Sequence, residues 1–167
     1  FVSLCYKKQH IPKRLIDDGS CELLSNLYLC AIKNSLQYFK YEPIDATPGI
    51  HKLGDIIKHC VKKCHCYSKI AYDIATRIQD NGASIWSALI SEQNFISTDP
   101  EDKDGQDTMT FQDVLEAVCR WACVTAISAG DSVWLVDYDS IIDDTNKVEM
   151  LDITSGDVTP TTYAELV

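Results

Sequence analysis

Positive charge is scarce in this chain. Fifteen Lys and Arg face 25 Asp and Glu over 167 residues, for a formal net charge of −10 and a pI near 4.7. A field of that sign repels phosphate backbones and anionic lipid headgroups, and Lys62, Lys63 and Lys69 are too few for a basic stripe. Neither nucleic acid nor a membrane surface is therefore expected as a partner. No apolar run approaches the roughly 18 residues that would cross a bilayer. The chain opens at Phe1 without a charged n-region and apolar h-region, so a secretory signal, if there was one, has been removed. Methionine is down to two residues, and no Asn-x-Ser/Thr sequon marks a glycosylated surface. His10, His51, His59 and His65 are the four histidines, none in a context that pairs it with a cysteine nucleophile, and no spacing isolates a pair of carboxylates. No enzyme, catalytic residue or cofactor is expected.

Apolar residues, by contrast, make up 46% of the chain and charged ones 24%, the composition of a soluble globular protein long enough to bury one core over 1–167. Cysteine is abundant. The eight are Cys5, Cys21, Cys30, Cys60, Cys64, Cys66, Cys119 and Cys123, an even number that reads as a disulfide framework in an oxidising compartment and as metal ligands or buried thiols in a reducing one.

Phrases recur along the chain. CYKK at 5–8 returns as CYSK at 66–69, and RLIDDGSC at 14–21 returns as RIQDNGAS at 77–84, with Arg14, Asp17 and Gly19 answering Arg77, Asp80 and Gly82. Further on, 35–56 lies against 132–153, so that Leu53, Asp55 and Ile56 meet Leu151, Asp152 and Ile153. Ordered matches of this kind indicate two diverged repeats, about 5–65 and 66–167, the second lengthened by an acidic inserted loop near 90–110. The Asp-Asp-Gly and Asp-Asn-Gly phrases then read as turns, each followed by a Ser able to cap what comes next.

Ser20 to Phe39 carries a helical stripe through Leu23, Leu24, Leu27, Ala31, Ile32 and Leu36, and Thr110 opens a second helix with the capping-box phrase TFQD, running toward Gly130. Residues 50–79 also suit helix, with a break near Cys66, and 85–95 a shorter amphipathic piece. VWLVDY and VEMLDI, within 133–153, have the propensity of a β-hairpin, but the helical look of their partners in the first repeat argues against it. The expected fold is mostly α, a single domain of two tandem helical repeats linked by disulfides, with a small hairpin at 133–153 as the alternative.

Three stretches resemble binding motifs. HCVKKCHC at 59–66 offers His59, Cys60, Cys64, His65 and Cys66, but zinc sites draw on two separated ligand pairs and only Cys119 with Cys123 follows; disulfides are the favoured reading and no bound metal is expected. DKDGQDTMTFQD at 102–113 places Asp102, Asp104, Gln106, Thr108 and Asp113 as in an EF-hand loop, with Asp107 where glycine is needed and Asp113 in place of the bidentate Glu. IHKLGDII at 50–57 and NGASIWSAL at 81–89 faintly resemble the interaction motifs of Bcl-2-like helical proteins. The repeat itself suggests a pairing that treats both units alike: Cys5 with Cys30 and Cys66 with Cys123. The swapped set, Cys5 with Cys123 and Cys30 with Cys66, is the runner-up, and Cys21, Cys60, Cys64 and Cys119 stay unassigned.

CELLSNLYLC at 21–30 resembles the Cys-Tyr-Cys motif of the bicycle family, secreted effectors of gall-forming aphids, with Cys21, Tyr28 and Cys30 filling one copy. The second copy aligns as Val114, Trp121 and Cys123, with its first Cys and its Tyr replaced. The resemblance implies a salivary protein delivered into plant tissue, where it alters host development by binding an unknown host protein. The competing expectation is an intracellular helical binding module, Bcl-2-like or calcium-dependent through 102–113.

Overall fold

Leu53, Ile56, Ile57, Cys60, Val61 and Cys64 recur at helical steps and are all buried, which makes Leu53–Lys63 an α-helix with one face inward. The computed structural model describes residues 36, 39–64, 66–76, 83–97, 101 and 107–166. In it this helix, α1, follows strand β1 (Ile50–Lys52) and leads into β2 (Lys69–Asp73). A 3-10 turn at Ile85–Ser87, β3 (Leu89–Ser91) and a second 3-10 turn at Glu92–Asn94 come next, then helix α2 (Phe111–Ala122). The chain continues through β4 (Thr125–Ala129), β5 (Ser132–Val136), the short α3 (Tyr138–Ile142), β6 (Val148–Asp152), β7 (Val158–Thr161) and a 3-10 turn at Tyr163–Leu166.

β1 and β3 form a two-stranded antiparallel ribbon. The other strands form one sheet in the order β4, β5, β2, β6, β7. β2 runs parallel to β5 and antiparallel to β6, so the middle of the sheet is mixed. Ile70, Val133 and Leu135 point to one face, where they join the stripes of α1 and α2 in the main core. Ala71, Trp134, Val136 and Val148 point to the other, packed by Tyr163 and Leu166. Covered on both faces, β5 is buried at every position from Ser132 to Val136, as expected of a strand written as a continuous apolar run rather than an alternating one.

α2 has the start its sequence announces. The Thr110 hydroxyl accepts from the Asp113 amide at 3.1 Å, and the Asp113 carboxylate accepts from the Thr110 amide at 2.9 Å. It ends at Cys123, whose φ of 56° is left-handed. A Cβ is strained there and glycine is not, so Cys123→Gly is expected to raise stability by about 0.5–1 kcal/mol, read as a higher melting temperature. An unchanged or lower value would mean that the exposed side chain of Cys123 makes a contact worth as much as the strain.

The mostly helical expectation is overturned. Among the described residues three α-helices stand beside seven strands, and the fold is mixed α/β. Residues 66–76, expected to continue the helix, instead supply β2, the centre of the sheet. The Ile70 and Ile74 spacing suited a helix, but a strand stabilised by partners remote in sequence overrides a local period. The 133–153 region does contain two strands, yet they do not form a hairpin, because β2 lies between β5 and β6. The aligned blocks of the supposed helical repeats also differ: Leu53, Asp55 and Ile56 lie in α1, whereas Leu151 and Asp152 lie in β6. The helix expected at 20–39 lies outside the described residues apart from Leu36, which is helical and buried, and Phe39.

The disulfide-linked framework is corrected as well. Cys60, Cys64, Cys119 and Cys123 form no disulfide, and no bridge joins two of the described residues. Cys66 is disulfide-bonded, but to none of these four. Pairings that use Cys123, with Cys66 or with Cys5, are therefore excluded. The helix stripes supply the physical reason: Cys60 and Cys119 occupy apolar positions of α1 and α2, Cys64 caps the end of α1, and all three serve as small core residues.

Candidate functional site

A cleft of about 220 Å³ opens between the N-terminal half of α1 and the sheet. Its floor is Ile70 and Tyr72 of β2, Leu135 of β5 and Leu151 of β6, three neighbouring strands. Gly54 and Ile57 of α1 form one wall and Trp86 another, while Lys52, Asp55 and Lys58 stand at the rim. The helix passes close to the Trp86 turn, so that a Cβ on Gly54 would be in van der Waals contact with the Trp86 carbonyl oxygen, at 3.4 Å.

Trp86 is fixed from three sides. The Ser84 hydroxyl accepts from its amide at 3.4 Å, so this Ser does cap the element after the Asn81-Gly82 phrase. The indole N–H donates to the Asp73 carbonyl at 2.6 Å. The ring meets Tyr72 edge-on, with centroids 5.8 Å apart. The Tyr72 hydroxyl in turn donates to Glu149 Oε2 at 3.1 Å; burial first, then that carboxylate, push the phenol up to about 12. Tyr72 thus stays protonated and offers the cleft an aromatic face of fixed orientation. Beside the cleft, Ile50 and Leu89 are 68% and 70% exposed. The ribbon register sets Lys52 opposite Leu89, which places these apolar side chains next to the rim.

Two buried carboxylates hold the surroundings in place. Glu92 is fully buried; its Oε1 accepts from the Tyr41 hydroxyl at 2.8 Å and the Ile44 amide at 2.9 Å, and its Oε2 from the Gly49 amide at 2.9 Å. His51 Nε2 lies 3.2 Å from the same Oε2. Burial opposes the charge, but the Gly49 and Ile44 amides, the Tyr41 hydroxyl and His51 outweigh it and hold the carboxyl below its ordinary range. Residues 41–49 are in effect wrapped around this one group. Asp73, at the end of β2, is also fully buried. Its Oδ1 accepts from the Ala75 and Lys147 amides, each at 2.9 Å, and its Oδ2 from the Ser140 hydroxyl.

Among the described residues, those singled out in the sequence are not gathered into a metal site. His59 packs against Tyr41 and Phe111, with Nε2 2.9 Å from the Glu42 carbonyl oxygen. Burial first, then the nearby Cys119 and Cys64, push the Cys60 thiol well up, and burial followed by Glu116 raises Cys119 to about 12. These thiols are neutral and packed in the core. Among the described residues no group of three or more His, Cys, Asp or Glu side chains is placed to hold a metal ion. Asp113 is engaged in the α2 cap, and the Thr108 carbonyl oxygen, the EF-hand ligand from that residue, accepts from Lys40 Nζ at 2.7 Å. Trp121 is exposed. Cys5, His10, Cys21, Tyr28, Cys30, His65, Asp102, Asp104 and Gln106 lie outside the described residues. The cleft, Glu92 and Asp73 escaped the sequence reading. The one local signal was a carboxylate closing an apolar strand, in IAYD, which marks a polar side chain about to be buried.

Comparison with family models, with curated proteins and with solved structures finds no match.

Proposed function

We propose that this chain acts by binding, without covalent chemistry on its ligand, and that the cleft beneath α1 grips an apolar group carrying a carboxylate. The observation that carries the reading is the cleft's construction: an aromatic and aliphatic floor, a tryptophan locked by its own hydrogen bond, and two ammonium groups against one carboxylate at the rim. Apolar walls with a few placed polar groups are what small-ligand and side-chain pockets are made of. In a chain of net charge −10, a rim with an excess of lysine is a local reversal of sign, which favours an anionic group there.

The resemblance at Cys21, Tyr28 and Cys30 supports the same class of action, since those effectors are proposed here as binders of a host protein in plant tissue. Secretion belongs to that proposal. The disulfide at Cys66 supports it and the exposed free thiol of Cys123 weighs against it, because oxidising compartments pair exposed thiols. The competing helical bundle is withdrawn with the helical fold.

The test uses 3-phenylpropionate and its neutral amide as probes of the whole protein, followed by amide and indole resonances. The acid is expected to bind with a Kd on the order of 1 mM, shifting the Trp86 indole and the amides of Lys52 to Lys58. Binding is expected to weaken about tenfold for the amide and for a Lys52→Ala, Lys58→Ala double variant. Equal binding of acid and amide would remove the carboxylate from the proposal, and no shift at Trp86 with either probe would remove the cleft.

A further inference from the structure

α3 is amphipathic the wrong way round. Ser140 is buried, its hydroxyl donating to Asp73 Oδ2 and lying 3.1 Å from the Asp137 carbonyl oxygen. The apolar side chains face solvent instead: Tyr138 is 53% exposed, Ile141 38% and Ile142 79%. Their i, i+3 and i+4 spacing puts them on one side of the helix. The arrangement is held firmly. Asp137 caps the helix by accepting from the Asp139 and Ser140 amides, and the Asp137 amide donates to the Tyr163 hydroxyl at 3.2 Å. A short helix tied down by its polar side, with three large apolar side chains outward, is not explained by the stability of this chain alone.

The charges around it run the same way. Asp139, Asp143 and Asp144 are all exposed on this segment, and Asp144 takes the left-handed φ of 52° just past the helix end. No basic residue occupies the last turn, so carboxylates stand at the carbonyl end, where the helix field disfavours them. Lys147, further along and exposed, is the nearest cation in sequence. Against such a surface the complement is an apolar strip flanked by positive charge, and the chain's overall charge of −10 steers that kind of partner inward.

We propose that α3 is a docking helix, and that its partner is a basic amphipathic segment of another protein whose apolar face covers Tyr138, Ile141 and Ile142 while its Lys or Arg side chains meet the three aspartates. This surface is separate from the cleft and stands whether or not the cleft binds a carboxylate.

A synthetic amphipathic helix of leucine and lysine is the probe, with a leucine and glutamate helix as its control, both added to the full chain. The basic helix is expected to shift the amides of Tyr138 to Asp144, to lose affinity as salt is raised, and to bind Ile142→Ser at least about tenfold more weakly. Ile142→Ser should melt where the parent does. A lower melting point would show that Ile142 is structural and overturn the proposal. So would equal binding of the glutamate helix, or shifts confined to other residues. Concentration-dependent self-association abolished by Ile142→Ser would also overturn it, assigning the face to a second copy of this chain.

Discussion

Glu92→Ala is expected to cost about 3–5 kcal/mol, a large share of the roughly 5–15 kcal/mol that ordinarily holds a domain folded. The substitution leaves the Ile44 and Gly49 amides and the Tyr41 hydroxyl without the acceptor around which 41–49 is folded. Buried donors without partners are among the largest single losses a fold sustains. Glu92→Gln separates charge from shape, since its amide keeps one acceptor but turns two donors toward groups that are donors themselves. The pH dependence has a definite sign. Because the folded carboxyl titrates below its ordinary value of 4.5, its contribution is complete above that pH and is lost as pH falls through the folded value. Urea unfolding across the acid range should therefore show the parent losing stability faster than Glu92→Gln. A cost under about 1 kcal/mol at neutral pH for the alanine variant, or parallel acid profiles, would show that the loop is held by something else.

Asp73→Ala should be nearly as damaging, at about 3 kcal/mol, and more local in its consequences. One carboxylate here joins the end of β2 to the Lys147 amide before β6 and to Ser140 in α3. Its loss should free α3 before it melts the sheet, so amide exchange across Ser140 to Lys147 should accelerate further than exchange in β5. Asp73→Asn, which retains one acceptor oxygen for the backbone amides, is expected to recover part of the loss. Unaltered exchange in α3 with the alanine variant would break the link between this buried group and the helix it is said to hold.

What could be read from the sequence was whatever depends on neighbours a few residues away. The capping phrase at Thr110, the stripe of α1 and the strand propensity of 133–136 and 148–152 are all local, and each reappears in the structure. Pairing is not local. Nothing in VWLV or VEML says that Ile-Ala-Tyr, far upstream, will sit between them; local propensity offers only a hairpin, and the apparent repeat argues for helix. The cysteines misled for a related reason. A thiol at a core position of a helix and one awaiting a bridge look alike in sequence, and only the packing of α1 against α2 tells them apart. The cleft depends on the same remote pairings, since its floor takes one or two residues from each of three strands.

The position of β2 also governs the order in which the molecule can assemble. Its two neighbours, β5 and β6, are both made long after it, so on the ribosome Ile70, Ala71 and Tyr72 emerge with neither edge satisfied. They must wait for Val133, and then for Leu151, before the ladder closes. Contacts of such long sequence separation carry a loop-closure cost that is met only late, which slows the final step and leaves an apolar strand open in the meantime. The β4–β5 and β6–β7 pairs, whose strands follow one another in the chain, are the pairings that close soonest after they are made. The centre of the sheet is thus closed only after β5 and β6 have both been made.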